Sequence, residues 1–193
     1  FVYRSENTAI AVLLQKPLLQ REMVDVELTW RLSIPSWVDT SSAYHLLGYS
    51  QQILSLPLFY PSLAVYDPDA SFGQGAWWLE TGSVRGDSAF NHISLFEVTA
   101  VLPSNQVPVA SGTLVESEFI NETQSRHVWV TGPSREFLLH TSTLFESDYS
   151  EAYGTRVTSF WLPGEEAAGR AALKHGVASL RIYSDYFGPY PFQ

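Results

Sequence analysis

At 193 residues the chain is long enough for one large domain, or for one domain with part of a second. Its formal charge of −9 and pI near 4.9 exclude the basic footprint that nucleic-acid binding requires and disfavour anionic membrane surfaces. No stretch reaches the ~18 apolar residues of a membrane span, and the lack of cysteine excludes a disulfide frame, a thiolate metal site and a thiol nucleophile.

The first residue is Phe1, which implies a processed or excised chain, so targeting and compartment are unknown. Residues 9–16, "AIAVLLQK", read as a short strand. "MVDVELTWRLSIP" alternates more strictly. Val24, Val26, Leu28, Trp30, Leu32 and Ile34 share one face and polar residues the other, the pattern of a half-solvated antiparallel strand that Pro35 ends. The apolar run "ILSLPLFYPSLAVYD" is broken by Pro57 and Pro61 and predicts an edge segment or a bent strand. A loop at 67–75 precedes "AWWLE". In "ISLFEVTAVLP" both faces carry apolar groups, as in a central strand. "VPVASGTLVESEF" and "RHVWVTG" follow around a turn at "INETQS", then "EFLLHTSTLFES" and "YGTRVTSFWLP". Turn signals about every ten residues predict an antiparallel β-sandwich of several sheets.

The exception is 165–187. Leu173, Gly176, Val177, Leu180, Tyr183 and Phe187 recur at helical spacing after Glu165 and Glu166, and Gly188-Pro189 stops the run. The expected organisation is a β-domain over 1–163 followed by a helical segment over 164–193.

Chemistry-bearing motifs are sparse. His45, His92, His127, His140 and His175 show no metal-binding spacing; His127 and His140 read as strand residues facing solvent or neighbouring hydroxyls. Gly86-Asp87-Ser88 resembles a serine-hydrolase block without the strand-to-helix context that block needs. Asp67 and Asp69 could begin a calcium loop, but Phe72 and Trp78 stand where an EF-hand needs Gly and Glu, so an Asx turn is the better reading. Asn121-Glu122-Thr123 is a glycosylation sequon, relevant only in a secretory context.

The ordered set of blocks "FYPSLAVYD…AWW…GDSAFNHISLFEVTAVLPSNQVPVASGTLV", "PSREFLLHTSTLFE" and "YSDYFGPYPF" resembles the N-terminal β-domain of bacterial aminopeptidase N-like zinc metallopeptidases, from about residue 20 onward. The resemblance implies a saddle-like β-structure packed against a thermolysin-like catalytic domain, with residues 164–193 as the first helix and turn of that domain. It also implies that zinc, the H-E-x-x-H ligands and the G-x-M-E-N strand belong to the catalytic domain and not to these residues. No catalytic or metal residue is therefore assigned in this chain, and no cofactor. Phe59, Tyr60 and Pro61 are the expected wall of the substrate cleft, although "LFYPSLAV" holds neither the carboxylate nor the amide that such domains often offer to a substrate amino group. The implied partners are the chain's own catalytic domain and a peptide, in an extracytoplasmic or membrane-associated parent. Two other readings stay open: an interaction domain of a homologue that has lost catalysis, and a free-standing carbohydrate- or protein-binding sandwich using Trp77, Trp78, Trp129 and Trp161.

Overall fold

The computed structural model describes residues 2–4, 9–37, 47–50, 52–69, 73–79 and 91–191. Among the described residues, strand content of 40% against 14% helix makes the chain mainly β, with several antiparallel sheets, none closed into a barrel, and a C-terminal helix. Two compact units divide it: residues 1–33 with 60–93, and residues 34–59 with 94–193.

The first unit holds two short ribbons. β1 (Val2–Arg4) pairs with β2 (Ala9–Ala11), and β5 (Val65–Asp67) pairs with β6 (Ala76–Trp78). The strict alternation at 24–34 does not become a strand. Alternation specifies which side chains share a face, but a strand also needs a neighbouring ladder for its backbone groups. None of the described residues supplies one, and Val24, Val26, Leu28, Trp30 and Leu32 are exposed.

The second unit contains the larger sheets. In one, β10 (Gln124–Val130) lies between β7 (Glu97–Pro103) and β9 (Thr113–Asn121). The expectation of a central strand at "ISLFEVTAVLP" is thus corrected, because among the described residues β7 is at an edge. Its face of Val98, Ala100 and Leu102 is half-buried, whereas Thr99 and Val101 are exposed. In the other sheet the order is β3 (Gly48–Tyr49), β4 (Leu54–Pro57), β11 (Leu138–Ser142), β8 (Val107–Ala110). The bend expected around Pro57 is present: β4 ends there and Leu58 takes a positive φ of 48°. "VPVASGTLV" divides between the two sheets at Ser111-Gly112. Gly112 has φ 84°, and a methyl group there would overlap the Val130 carbonyl.

Phe137, fully buried just before β11, ties these sheets together. Its ring lies 6.5 Å from Phe59, 6.2 Å from Phe96 and 6.5 Å from Trp129. Aromatic rings at such separations attract beyond their area burial when edge-on or offset.

A third sheet is the hairpin of β12 (Glu146–Ala152) and β13 (Thr155–Trp161), closed by Tyr153 and Gly154 at φ 52° and 78°. Two consecutive positive-φ residues give the twist that two-residue hairpins favour. Helix α1 (Glu166–Phe187) lies on this hairpin. Its start and its glycine stop agree with the expectation from the sequence, Gly188 donating its N–H to the Ser184 carbonyl at 3.1 Å. Its inner face runs through Gly169, Leu173, Gly176, Val177, Leu180 and Ser184. Tyr183 and Phe187 do not continue that face; both are exposed. Close seating depends on Gly169, where a β-carbon would overlap the indole of Trp161.

Candidate functional site

Phe59, Tyr60 and Pro61 straddle the division between the units, Phe59 in the second and the other two in the first. Phe59 is half-buried with one face on Phe137, a core contact; Tyr60 is half-buried and Pro61 exposed. The three are therefore not equivalent. Pro61 is open to a partner, and Phe59 is partly committed to the fold.

Of the four tryptophans weighed as stacking platforms, two are excluded. Trp129 (3% exposed) and Trp161 (7%) are core residues and cannot stack on a ligand. Trp161 is further held by its Nε1–H, which donates to Glu146 Oε2 at 3.1 Å. Trp77 and Trp78 are both half-exposed on β6, and Trp77 meets Tyr66 of β5 edge-on at 5.2 Å, directly across the ladder. Successive strand residues point to opposite faces, so this ribbon presents an indole on each side.

Asp67 Oδ1 accepts the Asp69 N–H at 3.0 Å, the Asx turn expected from the sequence. Ser71 and Phe72, next in the possible calcium loop, lie outside the described residues, as do Gly86-Asp87-Ser88 and His45. No cluster of three or more potential metal ligands occurs among the described residues.

His127 projects from β10 onto the buried face and makes the contacts expected for it, with hydroxyls. Ser117 Oγ lies 3.1 Å from Nδ1 and Ser125 Oγ 2.9 Å from Nε2, while the ring stacks on Trp129 at 5.6 Å. In a neutral imidazole one nitrogen donates and the other accepts, and hydroxyl hydrogens rotate to match either tautomer. Burial holds the pKa of His127 below its ordinary 6.5. A serine–histidine pair working in acyl transfer needs a third group, normally a carboxylate, to orient the base. Here that position is taken by Ser117, so the arrangement satisfies a buried imidazole. Burial likewise lowers the pKa of half-buried His140 on β11, and His92 and His175 are exposed.

The sequence reading missed the charged surface where α1 meets β12. Arg170 pairs with Asp148 of β12 and with Glu166 one turn earlier, and its guanidinium covers the Trp161 ring at 5.9 Å. The hydrogen bond to Glu166 and the charge of Asp148 raise its pKa further. Nearby, the Tyr153 hydroxyl donates to Asp185 Oδ1 at 2.6 Å, which raises the phenol's pKa. The only sequence signal was Arg170, Lys174 and Arg181 recurring on one helical stripe. β12 itself, "ESDYSEA", is too polar to announce a strand by hydrophobic pattern.

Among the described residues, no helix is long and apolar enough to cross a membrane. Comparison with protein-family models and with curated proteins gives no match for this chain.

Proposed function

We propose that the chain is the non-catalytic β-domain of an aminopeptidase N-like zinc peptidase, forming one wall of the cleft into which a peptide substrate enters. The observation that favours this reading is the aromatic surface at the end of α1. Tyr183, Tyr186, Phe187 and Tyr190 are 63%, 80%, 82% and 52% exposed, and Tyr183 and Tyr186 lie 6.1 Å and 6.4 Å from Phe187. A contiguous exposed apolar patch marks an interaction surface, and this one sits where the resemblance places the start of a catalytic domain. Zinc and the residues that hold it would come from that domain. The contribution of this chain is shape: Phe59, Tyr60 and Pro61 would narrow the approach of a peptide.

The reading is tested by incubating the chain with zinc and aminoacyl-amide substrates. It predicts no zinc-dependent release. Release that a chelator abolishes would place catalysis in this chain and contradict the proposal.

The half-exposed Trp77 and Trp78 favour a second reading, a carbohydrate platform on the β5–β6 ribbon. It requires glycan-dependent quenching of tryptophan fluorescence that Trp77→Ala removes; an unchanged signal across a broad glycan panel eliminates it.

A further inference from the structure

Between α1 and β12 runs an open groove of about 440 Å³, walled by Arg170, Lys174 and Arg181 on the helix and by Asp148 on the strand, with Leu173 and Val177 at its base. At 3.6 residues per turn the three cations fall within an arc of about 40°, one stripe along the helix. Arg170 is partly neutralised by Asp148 and Glu166. Lys174 and Arg181 form no ion pair among the described residues. Asp185, one turn beyond Arg181, is instead hydrogen-bonded by Tyr153. In a chain of net charge −9, this surface sets Arg170, Lys174 and Arg181 against Asp148, Glu166 and Asp185, which leaves it locally balanced, with Lys174 and Arg181 outside any ion pair among the described residues.

Lys174 and Arg181 stand seven residues apart, about 10 Å along the axis. An extended peptide rises ~3.3 Å per residue and returns its side chains to one face every second position. Carboxylates four residues apart therefore lie on one side and within reach of both flexible cations. The residue between them on that face would meet Leu173 and Val177. We propose that this groove is a docking site for an extended acidic peptide segment of a partner, its two carboxylates pairing with Lys174 and Arg181 and an apolar side chain covering the base. Charge complementarity selects this occupant: a neutral apolar segment would leave both cations facing it unpaired, and a basic one would be repelled. The inference stands on the groove alone and does not depend on the chain belonging to a peptidase.

The test is fluorescence anisotropy of the whole chain with a labelled hexapeptide bearing glutamate at its first and fifth positions and leucine at its third. An otherwise identical peptide with glutamine at both positions is the control. The glutamate peptide should bind more tightly than its glutamine counterpart and weaken as sodium chloride is raised, since exposed charges are screened over about 10 Å at 0.1 M salt. Lys174→Glu and Arg181→Glu should each weaken binding roughly three- to fivefold, the scale of one exposed ion pair. Together they should weaken it by roughly tenfold or more. Both side chains are exposed, so helical circular dichroism should stay unchanged. Arg135→Glu, an exposed cation away from the groove, should bind like the parent chain. Equal binding of the glutamine peptide, or no loss on double charge reversal, overturns the proposal. So does tighter binding of inorganic phosphate or a single-stranded oligonucleotide that is lost in the same variants, which would give the groove to phosphate.

Discussion

Gly169 and Gly176 sit on the same inner face of α1, and they should respond to alanine in opposite ways. Alanine gains about 1 kcal/mol over glycine in a helix interior, so propensity alone expects both substitutions to stabilise. The surroundings decide otherwise at Gly169. A β-carbon there would lie 2.9 Å from Trp161 Cγ and nearer still to Cδ2 and Cε3, the body of the ring and not its tip. The ring has little freedom to move, being 7% exposed, bonded through Nε1 to Glu146 and covered by Arg170. The helix must then retreat from the hairpin, and overpacking of this kind costs about 1–3 kcal/mol. Set against the propensity gain, Gly169→Ala should lose about 1 kcal/mol, and up to about 2 if the retreat uncovers Leu173. At Gly176 the nearest atom is Val157 Cγ1 at 3.2 Å, a contact relieved by a shift of a few tenths of an ångström. Gly176→Ala should therefore be neutral or stabilise by up to about 1 kcal/mol. Urea unfolding followed by the helical circular dichroism band measures both. A Gly169→Ala chain as stable as the parent, or a Gly176→Ala chain less stable than Gly169→Ala, would refute the proposed seating of α1.

Phe137→Ala should cost about 3–5 kcal/mol, because it empties a site between three aromatic rings, and should lower the melting temperature by roughly 6–20 °C; a loss below about 1 kcal/mol would remove Phe137 from the centre of the core. Stability should also fall on acidification. Below the ordinary pKa of 6.5 the unfolded chain protonates His127 and His140 while the folded chain, where burial lowers both, resists. Each histidine then contributes a slope of up to about 1.4 kcal/mol per pH unit, beginning near 6.5 and ending at its folded pKa, with no effect above. Urea unfolding between about pH 8 and about pH 5 should show a smaller decline for His127→Gln than for the parent chain, and an unchanged decline would mean that the imidazole is not held neutral.

Hairpins and the helix were legible wherever a local signal coincided with a local interaction. Gly188-Pro189 ended α1 as expected, and the "NET" turn joins β9 to β10 through Asn121 Oδ1, which accepts the Thr123 N–H at 2.9 Å. What the sequence could not show was pairing. Val24 to Leu32 alternate more strictly than any true strand here, yet join no sheet among the described residues, because partnership is a property of distant residues. The converse holds for β12, whose Glu, Ser and Asp residues pair with β13, where Glu146 also accepts from the Trp161 indole, and bind α1 through Asp148, although nothing in their hydropathy marks a strand. The candidate site divides along the same line. Residue type alone could not separate Trp129 and Trp161, which fill the core, from Trp77 and Trp78, which reach solvent. The helix period placed Tyr183 on the inner stripe, but that face passes through Ser184, a shift of one residue that exposes the whole aromatic end of α1.

The proposal that this chain serves a zinc peptidase is tested most directly by sequencing the reading frame beyond the codon for Gln193. The account predicts a G-x-M-E-N segment, then H-E-x-x-H and a more distant glutamate. A stop codon at that point, or a continuation without any of these motifs, would contradict it.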